Sequence, residues 1–589
     1  MSDTLQPTAL TAEQKLARVQ GERDELKATV VRLTQQLEQS ERNRERIRAA
    51  YQNALEQLQL MRRRLFVAKA ERFDTPEEQL TFEQLGQRVQ ELKAQLGAGS
   101  PPDGDESDDE DSKPKRKRKK PESKPTGRRD LSKSSLPLVH VEVPDPELEG
   151  VAERIGVETS WMLGYERGGQ RRIQVDRIVY KVSGTTNETE SGDSDTGEGF
   201  RIVTAAVPKK LLRRSFLDPA MLAHILVSKY MMGVPFYRLE QRMALQGEPL
   251  DRGTMCRVAE DVGASLGAIV LAARDEAMKT AFCLSTDATS VAIQPTPLAD
   301  GKRQPCRKGH FFVILADTDH VFFEYQPRHT SAAVCEMFRG YQGYIQADAH
   351  AVYDALFRGP PSPTLIEEAT GPPPPTELGC WSHCRRNFWD AAVCKHQEGI
   401  DGLRWCDAIF EAEGRLAKLP PSKKKVERNR TVRPLIEAFF AWIQEQRQTP
   451  RPRGLVSKAL GYAHRQREPL CRFLEDGRLK ITNNHSERAI RPITTGRNAW
   501  LFFGGDDHAE AAANLFSLVA SCKLHGLDPE TYFRDVIRVM PYWPRDRYLE
   551  LSPKYWLQTR ARIDAVELAR PVGIITVPPP AAEQERPAN

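Results

Sequence analysis

Apolar residues recur along this chain with three different periods, and each period marks its own stretch. Over residues 12–66 the period is seven. With position a at residue 16, the a sites hold Leu16, Arg23, Val30, Leu37, Arg44, Tyr51, Leu58 and Leu65, and the d sites hold Val19, Leu26, Leu33, Ser40, Ile47, Ala54 and Met61. Arg23, Ser40 and Arg44 interrupt the seam. The pattern predicts a long helix that pairs as a coiled coil. Packing of the same seam on the chain's own body is the alternative, and the charged or Gln outer faces favour self-association.

Residues 97–135 have no period and read as a charged disordered linker. Residues 136–199 alternate, as in "LVHVEV" and "RRIQVDRIVYKV", and predict a small β-rich unit ending in a polar loop, Ser183–Gly199. Residues 205–275 turn helical. Asp218 stands where an N-cap is needed, with Pro219 at the first helical position. Three short helices around Gly247 fit a helix-turn-helix DNA-binding unit, and fit a plain helical domain as well. Strands follow from residue 280 in the order β-β-β-α-β, with "HFFVILADTDHVFFEY" as a hairpin. The whole is a multi-domain α+β chain.

Composition narrows the classes. A length of 589 residues suggests about three or four folded units. No run of about 18 apolar residues exists, so no membrane partner is expected. The first residues carry neither a basic nor an apolar leader segment, and the 10 scattered cysteines look like reduced cytosolic thiols. A net charge of +5 is too small to imply nucleic-acid binding, but its distribution is informative. The acidic block Asp103–Asp111 is followed at once by Lys113–Lys120. Lys115, Arg116, Lys117 and Arg118 there form either a flexible arm for DNA phosphates or one half of a self-neutralising linker.

Two aspartates sit at places that cost something. Asp287 in "STDATSV" and Asp348 in "YIQADAHAVYDAL" fall in predicted strands, where aspartate is disfavoured. Carboxylates on neighbouring strands make an oxygen-rich site suited to Mg²⁺, and two such ions can drive in-line phosphoryl displacement. Asp317 and Asp319 compete for the role, but their hairpin turn is a sufficient structural reason for them. Cys380, His383, Cys384, Cys394 and His396 have ligand types zinc accepts, yet such residues also serve as packing groups, and zinc is not expected.

Several blocks, in order, resemble the insertion-sequence-sixty-six family of transposases. They are "DPAMLAHILVSKYMMGVPFYRLEQ", "STDATSV", "YIQADAHAVYDAL", "GCWSHCRRNFWDA", "NNHSERAIRPITTGRNAWLFFGGD" and "SCKLHGLDPETYF". The resemblance implies a DDE transposase whose catalytic and metal-holding acids are Asp287, Asp348 and Glu487. It implies Mg²⁺ or Mn²⁺, two ions, in a ribonuclease-H-like core. That core would occupy residues 280–397 and 471–540, split by a helical insertion at 398–470 and followed by a C-terminal tail at 541–589. Arg385, Arg386, Arg488, Arg491 and Arg497 become candidate phosphate contacts. Asn483 and Asn484 become candidate caps of the helix bearing Glu487, with Cys380 and His383 as supporting residues.

The implied partners are DNA, both the element's terminal repeats and a target, a second copy through the coiled coil, and helper proteins. The implied place is the nucleoid in a bacterial cytoplasm. Two departures stand out. The family's Asp-Glu-Thr at the first acid is Asp287-Ala288-Thr289 here, and residues 131–250 lack the cysteines of the family's zinc-finger-like unit. They motivate an alternative, a catalytically inactive DNA-binding protein such as a repressor or decayed transposase. A nuclease acting on RNA hybrids is a third reading, which explains neither the zipper nor the basic arm.

Overall fold

The computed structural model describes residues 12–67, 131–134, 136–166, 169–183, 200–295, 304–358, 373–449 and 453–580. Residues 97–130 of the linker, with Lys115, Arg116, Lys117 and Arg118, lie outside them, while its Leu131–Lys133 forms a short turn with Leu131 buried. The chain forms two compact units. One joins the N-terminal segment to Trp381–Gly477, and the other joins Lys119–Cys380 to Arg478–Asn589.

In the first unit, the seven-residue repeat is one helix, Ala12–Val67. Val30, Leu33 and Leu37 of its seam are 60%, 56% and 61% exposed, so this part of the seam has no partner of its own chain among the described residues. Further along, Ile47, Tyr51 and Ala54 are half-buried and Glu56 is buried. The Glu56 carboxylate meets His396 Nε2 at 2.8 Å and accepts from the Leu455 N–H at 3.2 Å.

The helices Trp381–Val393, Gln397–Arg415, Arg433–Gln448 and Leu455–Arg465 make up the rest. Their aromatic faces interlock through Trp381, Phe388, Phe439 and Phe440. The buried Arg428 guanidinium donates twice to Glu413, at 3.0 and 2.7 Å, and to the Phe473 and Asp476 carbonyls, at 2.7 Å each. A buried charge needs such full pairing. Gly477 closes the unit where any Cβ would lie 1.9 Å from the Pro421 carbonyl oxygen. The helix Trp381–Val393, which precedes the insertion expected at 398–470, packs with helices Gln397–Arg415 and Leu455–Arg465 of this unit.

The second unit holds two sheets. In the first sheet, β1 (Leu138–Val143) pairs parallel to β3 (Gly169–Ser183), and β2 (Glu153–Glu166) and β4 (Phe200–Thr204) pair antiparallel to it. Val143, Met162, Ile173 and Val175 pack with Val572, so apolar burial holds together a unit that has no cysteines. β4 lies past the expected boundary at residue 199, because its ladder completes β3.

Three helices follow: Pro219–Tyr230, Phe236–Leu245 and Arg252–Thr280. Asp218 caps the first, accepting from the Met221 N–H at 2.7 Å. The third is not a short helix. It runs 29 residues and buries Met255, Val262, Leu266, Ile269 and Ala273 along one side. It approaches Asp506–Leu524 so closely that a Cβ on Gly263 would lie 2.5 Å from the Ala511 carbonyl oxygen. The apolar stripe extends past the turn that suggested a compact three-helix motif, and makes this a core helix.

The second sheet contains β5 (Cys283–Ile293), β6 (Arg307–Ala316), β7 (His320–Gln326), β8 (Tyr344–Gln346), β9 (Thr376–Leu378) and β10 (Phe502–Phe503). The order is β7-β6-β5-β8-β9, with β10 beside the end of β5. β6 runs antiparallel to β5 and β7; β8, β9 and β10 join in parallel. The edge strand β7 is covered by helix Asp506–Leu524, whose Ser517 and Ser521 hydroxyls accept the Phe323 and Val321 N–H groups at 2.7 and 3.0 Å.

Residues 541–580 are folded, not a tail. Helices Pro553–Ala561 and Ala565–Ala569 follow Pro529–Val539, and Trp543, Leu551, Trp556, Leu568 and Ile575 are buried. Burying aromatic side chains of this size offsets the ordering of the segment.

Candidate active site

Asp287 lies in the middle of β5, opposite Val313 of β6. Ser285 of β5 pairs with Gln346, the last residue of β8. Two residues past this pair come Asp287, still within β5, and Asp348, just beyond the end of β8. Asp348 is not inside the strand: β8 has ended, and Ala349 turns with φ +59°. That left-handed region disfavours a residue with a Cβ, and backbone strain of this kind gathers at functional sites. Asp287 accepts from the Ala288 N–H at 2.8 Å and Asp348 from the His350 N–H at 3.1 Å. Asp317 and Asp319 have structural work. Asp317 accepts from the Phe282 and Cys283 N–H groups, and Asp319 pairs with Lys554 at 2.7 Å.

Glu487 sits in the first turn of the helix Asn484–Trp500. That helix fills a gap. β8 pairs with β5 up to Ser285 and β10 resumes at Ala292. Among the described residues no strand pairs with that side of residues 286–291. Asn483 Nδ2 donates to the Thr286 carbonyl at 2.7 Å, and Arg497 Nη1 donates to the Ser290 carbonyl at 2.7 Å and to Thr289 Oγ1 at 3.1 Å. Side chains at both ends of the helix thus satisfy strand carbonyls that a neighbouring strand would have bonded. The turn carrying Glu487 is held against the strand carrying Asp287.

This geometry corrects two expectations. Asn483 occupies the N-cap position but its side chain makes no cap hydrogen bond; the Thr286 carbonyl takes its side-chain N–H instead. Asn484 is exposed as the first helical residue. Arg497 is committed to β5 rather than presented to a phosphate, whereas Arg488 and Arg491 are exposed on the same helix. Cys380 Sγ, fully buried, accepts from the Asn483 N–H at 3.2 Å and steadies the same junction. His383, Arg385 and Arg386 belong to the helical unit, where Arg385 pairs with Asp407 at 2.6 Å and Arg386 is exposed.

Sequence reasoning missed several supporting groups. Gln346 Nε2 donates to the Gly379 carbonyl at 3.1 Å and the Lys480 carbonyl at 2.9 Å, tying the ends of β8 and β9 to the segment before Glu487. A buried polar residue beside Asp348 in "YIQAD" was the available signal. Burial raises the Tyr353 hydroxyl well above the usual phenol range, contact with Thr286 opposes this, and the charges of Asp348 and Asp287 add to the rise. Tyr353 thus feels both aspartates. His310, His329 and His350 stack in a row, with ring centroids 5.2 and 4.8 Å apart. Burial lowers the His329 imidazole, His350 and His310 add to that, and Asp348 opposes it. Next to Glu487, His485 is pushed down to about 4, by burial first and then by Lys480 and Arg488.

All three acids are half-buried, hard oxygen donors. Carboxylates are the donors a hydrated Mg²⁺ takes, since it binds through one or two of them and keeps waters. Among the described residues no three His, Cys, Asp or Glu side chains are close enough to hold a metal ion together. Cys394 and His396 are engaged with Glu56. Among the described residues no helix is long and apolar enough to cross a membrane.

Residues 214–511 match the model of the Transposase IS66 family, and residues 517–553 match that of the IS66 C-terminal element. Uncharacterized protein y4hP of Sinorhizobium fredii (strain NBRC 101917 / NGR234) is 26% identical over 375 residues, 59% of this chain and 64% of that protein. Uncharacterized protein y4qI of the same organism is 26% identical over 366 residues, 60% of this chain and 65% of that protein. The chain spans less than two thirds of the length of either relative.

Proposed function

Since the chain belongs to the IS66 family of transposases, we propose that it binds the ends of a DNA element and catalyses their cleavage and joining by a DDE mechanism. The observation that carries this reading is the helix filling the gap beside β5, which holds the Glu487 turn to the strand of Asp287, with Asp348 two residues past the end of the neighbouring strand β8. The sheet supports a ribonuclease-H-like core. In chain order its strands run third, second, first, fourth, fifth, with the second antiparallel to the first and the fourth and fifth parallel.

In this mechanism Asp287, Asp348 and Glu487 would hold two divalent ions, Mg²⁺ or Mn²⁺. Bound there, the ions supply activation of the attacking oxygen and stabilisation of the leaving one. Asn483 and Gln346 fix the geometry of the acids. Water first attacks a phosphodiester at the element end, the bond to the 3′-oxygen breaks, and a 3′-hydroxyl is released. That hydroxyl then attacks a target phosphodiester and displaces its 3′-oxygen in turn. Exposed Arg488 and Arg491 lie on the Glu487 helix to contact phosphates. The open seam of Val30, Leu33 and Leu37 supports pairing with a second copy, which would hold two DNA ends together. The protein would act on the nucleoid.

The experiment is cleavage of DNA carrying the element's ends, with Mg²⁺, by the wild type and by Asp287→Asn, Asp348→Asn and Glu487→Gln. The reading requires cleavage by the wild type and loss in each variant; cleavage that survives all three sinks it. A second reading, a DNA-binding protein without catalysis, is favoured by one observation: no three acids converge among the described residues. A wild type that binds the ends and never cleaves them selects it.

A further inference from the structure

A second feature of the same unit lies outside the acid-bearing sheet. A groove of about 990 Å³ opens between the four-stranded sheet and the segment after helix Pro529–Val539. One wall is Trp161 of β2 and Arg177 of β3; the other is Trp543, Arg545 and Tyr548. The run "PKKLLRR", residues 208–214, crosses it and contributes Lys209, Lys210 and Arg213. Among the described residues no carboxylate lines the groove. Arg177 is already engaged, with Glu158 and with the Ala205 carbonyl at 2.9 Å. Lys209, Lys210, Arg213 and Arg545 also line it, and Lys209, Arg213 and Arg545 are exposed.

The groove is built rather than incidental. The Lys209 N–H donates to Tyr542 Oη at 2.8 Å, and Tyr542 Oη donates to the Gly573 carbonyl at 3.1 Å. The Lys209 ammonium lies 5.5 Å from the centre of the Tyr542 ring. Arg547 stacks over Trp543 at 5.3 Å. The basic run is therefore tied by its backbone to the C-terminal element, which fixes the spacing between Lys209 and the Arg545 wall. Like charges held together in a cleft repel one another, an arrangement that an anionic ligand relieves.

We propose that this groove binds the phosphodiester backbone of duplex DNA, through Lys209, Lys210, Arg213 and Arg545, without regard to sequence. Point charges on phosphates position a duplex; they do not read bases. The C-terminal element thereby forms one wall of a DNA-holding site separate from the acids. The proposal rests on the reading that the protein acts on DNA, but it concerns binding and not cleavage, so the two fail separately.

The test is the salt dependence of affinity of the full chain for a short random-sequence duplex. Each phosphate contact contributes about 0.9 to the slope of log affinity against log salt. The variant Lys209→Ala/Lys210→Ala/Arg213→Ala/Arg545→Ala should show a slope shallower by roughly 3 to 4, with affinity at moderate salt at least about tenfold weaker. The charge-keeping variant Lys209→Arg/Lys210→Arg/Arg213→Lys/Arg545→Lys should keep the wild-type slope. A slope unchanged by the alanine substitutions overturns the proposal. So does a slope that falls equally in the charge-keeping variant, since that would mark a packing defect. Asp287→Asn, which leaves the groove intact, should bind this duplex like the wild type even where cleavage is lost.

Discussion

The two sheets of the second unit place opposite charges. The six-stranded sheet carries Asp287 in its central strand and Asp348 at the end of the next, and a helix brings Glu487 alongside. Its edge is closed by Ser517 and Ser521. The four-stranded sheet has a long hairpin whose outer residues, 153–159, are all exposed, and it contributes to a groove lined by cations. One region has half-buried carboxylates on and beside its central strands; the other spreads lysines and arginines over an open groove. That contrast fits the two roles proposed for them. Carboxylates must be held at fixed positions to hold an ion, whereas phosphate contacts tolerate slack because a charge acts over distance.

The largest expected effect separates the two regions. Asp287→Asn, Asp348→Asn or Glu487→Gln should lower strand cleavage by about a thousandfold or more, since several kcal/mol of transition-state stabilisation are at stake. Affinity for random duplex should change less than about twofold. An equal fall in cleavage and binding would break the comparison.

Asn483→Leu comes next. The Thr286 carbonyl loses its donor in a buried place, costing about 1–3 kcal/mol of stability. Cleavage should fall at least about tenfold at a temperature where the variant stays folded, while groove binding holds. Chemical denaturation with parallel cleavage rates checks both. Arg497→Ala, at the other and less buried end of the helix, should cost roughly 1 kcal/mol and slow cleavage less.

The smallest effect probes the helix beside the four-stranded sheet. Asp218 is pushed up to about 7, by burial first, against the backbone hydrogen bonds it accepts. A carboxyl that holds its proton more tightly when folded stabilises fully below its unfolded value near 4 and loses that contribution as pH rises towards 7. Asp218→Asn, which still caps and cannot ionise, should therefore melt a few degrees higher than the wild type above pH 7. Below pH 4 the gain should vanish. Thermal melts at both pH values decide it.

What could be read along the chain was local. The heptads gave the Ala12–Val67 helix, Asp218-Pro219 marked a helix start, and the alternation about "DTD" gave the β6–β7 hairpin. What could not be read depended on distant partners. The Asn483 bond to Thr286 joins residues 197 apart, and a polar residue before a helix looks like a cap whether or not it is one. The third helix after Pro219 looked short because Gly263 and Gly267 dilute its pattern, yet Gly263 is where another helix approaches. Asp348 was expected within a strand, while β8 ends two residues earlier. Residues 541–580 looked like a tail because prolines and charges surround Trp543 and Trp556, whose burial needs the rest of the unit. The groove was invisible for the same reason: Lys209 and Arg545 meet across a fold.

The central claim is that Asp287, Asp348 and Glu487 serve one site. Manganese binding followed by electron paramagnetic resonance on the full chain tests it most directly. The wild type should bind Mn²⁺, and Asp287→Asn, Asp348→Asn and Glu487→Gln should each weaken this binding. A protein with all three substitutions that binds Mn²⁺ as the wild type does would contradict it.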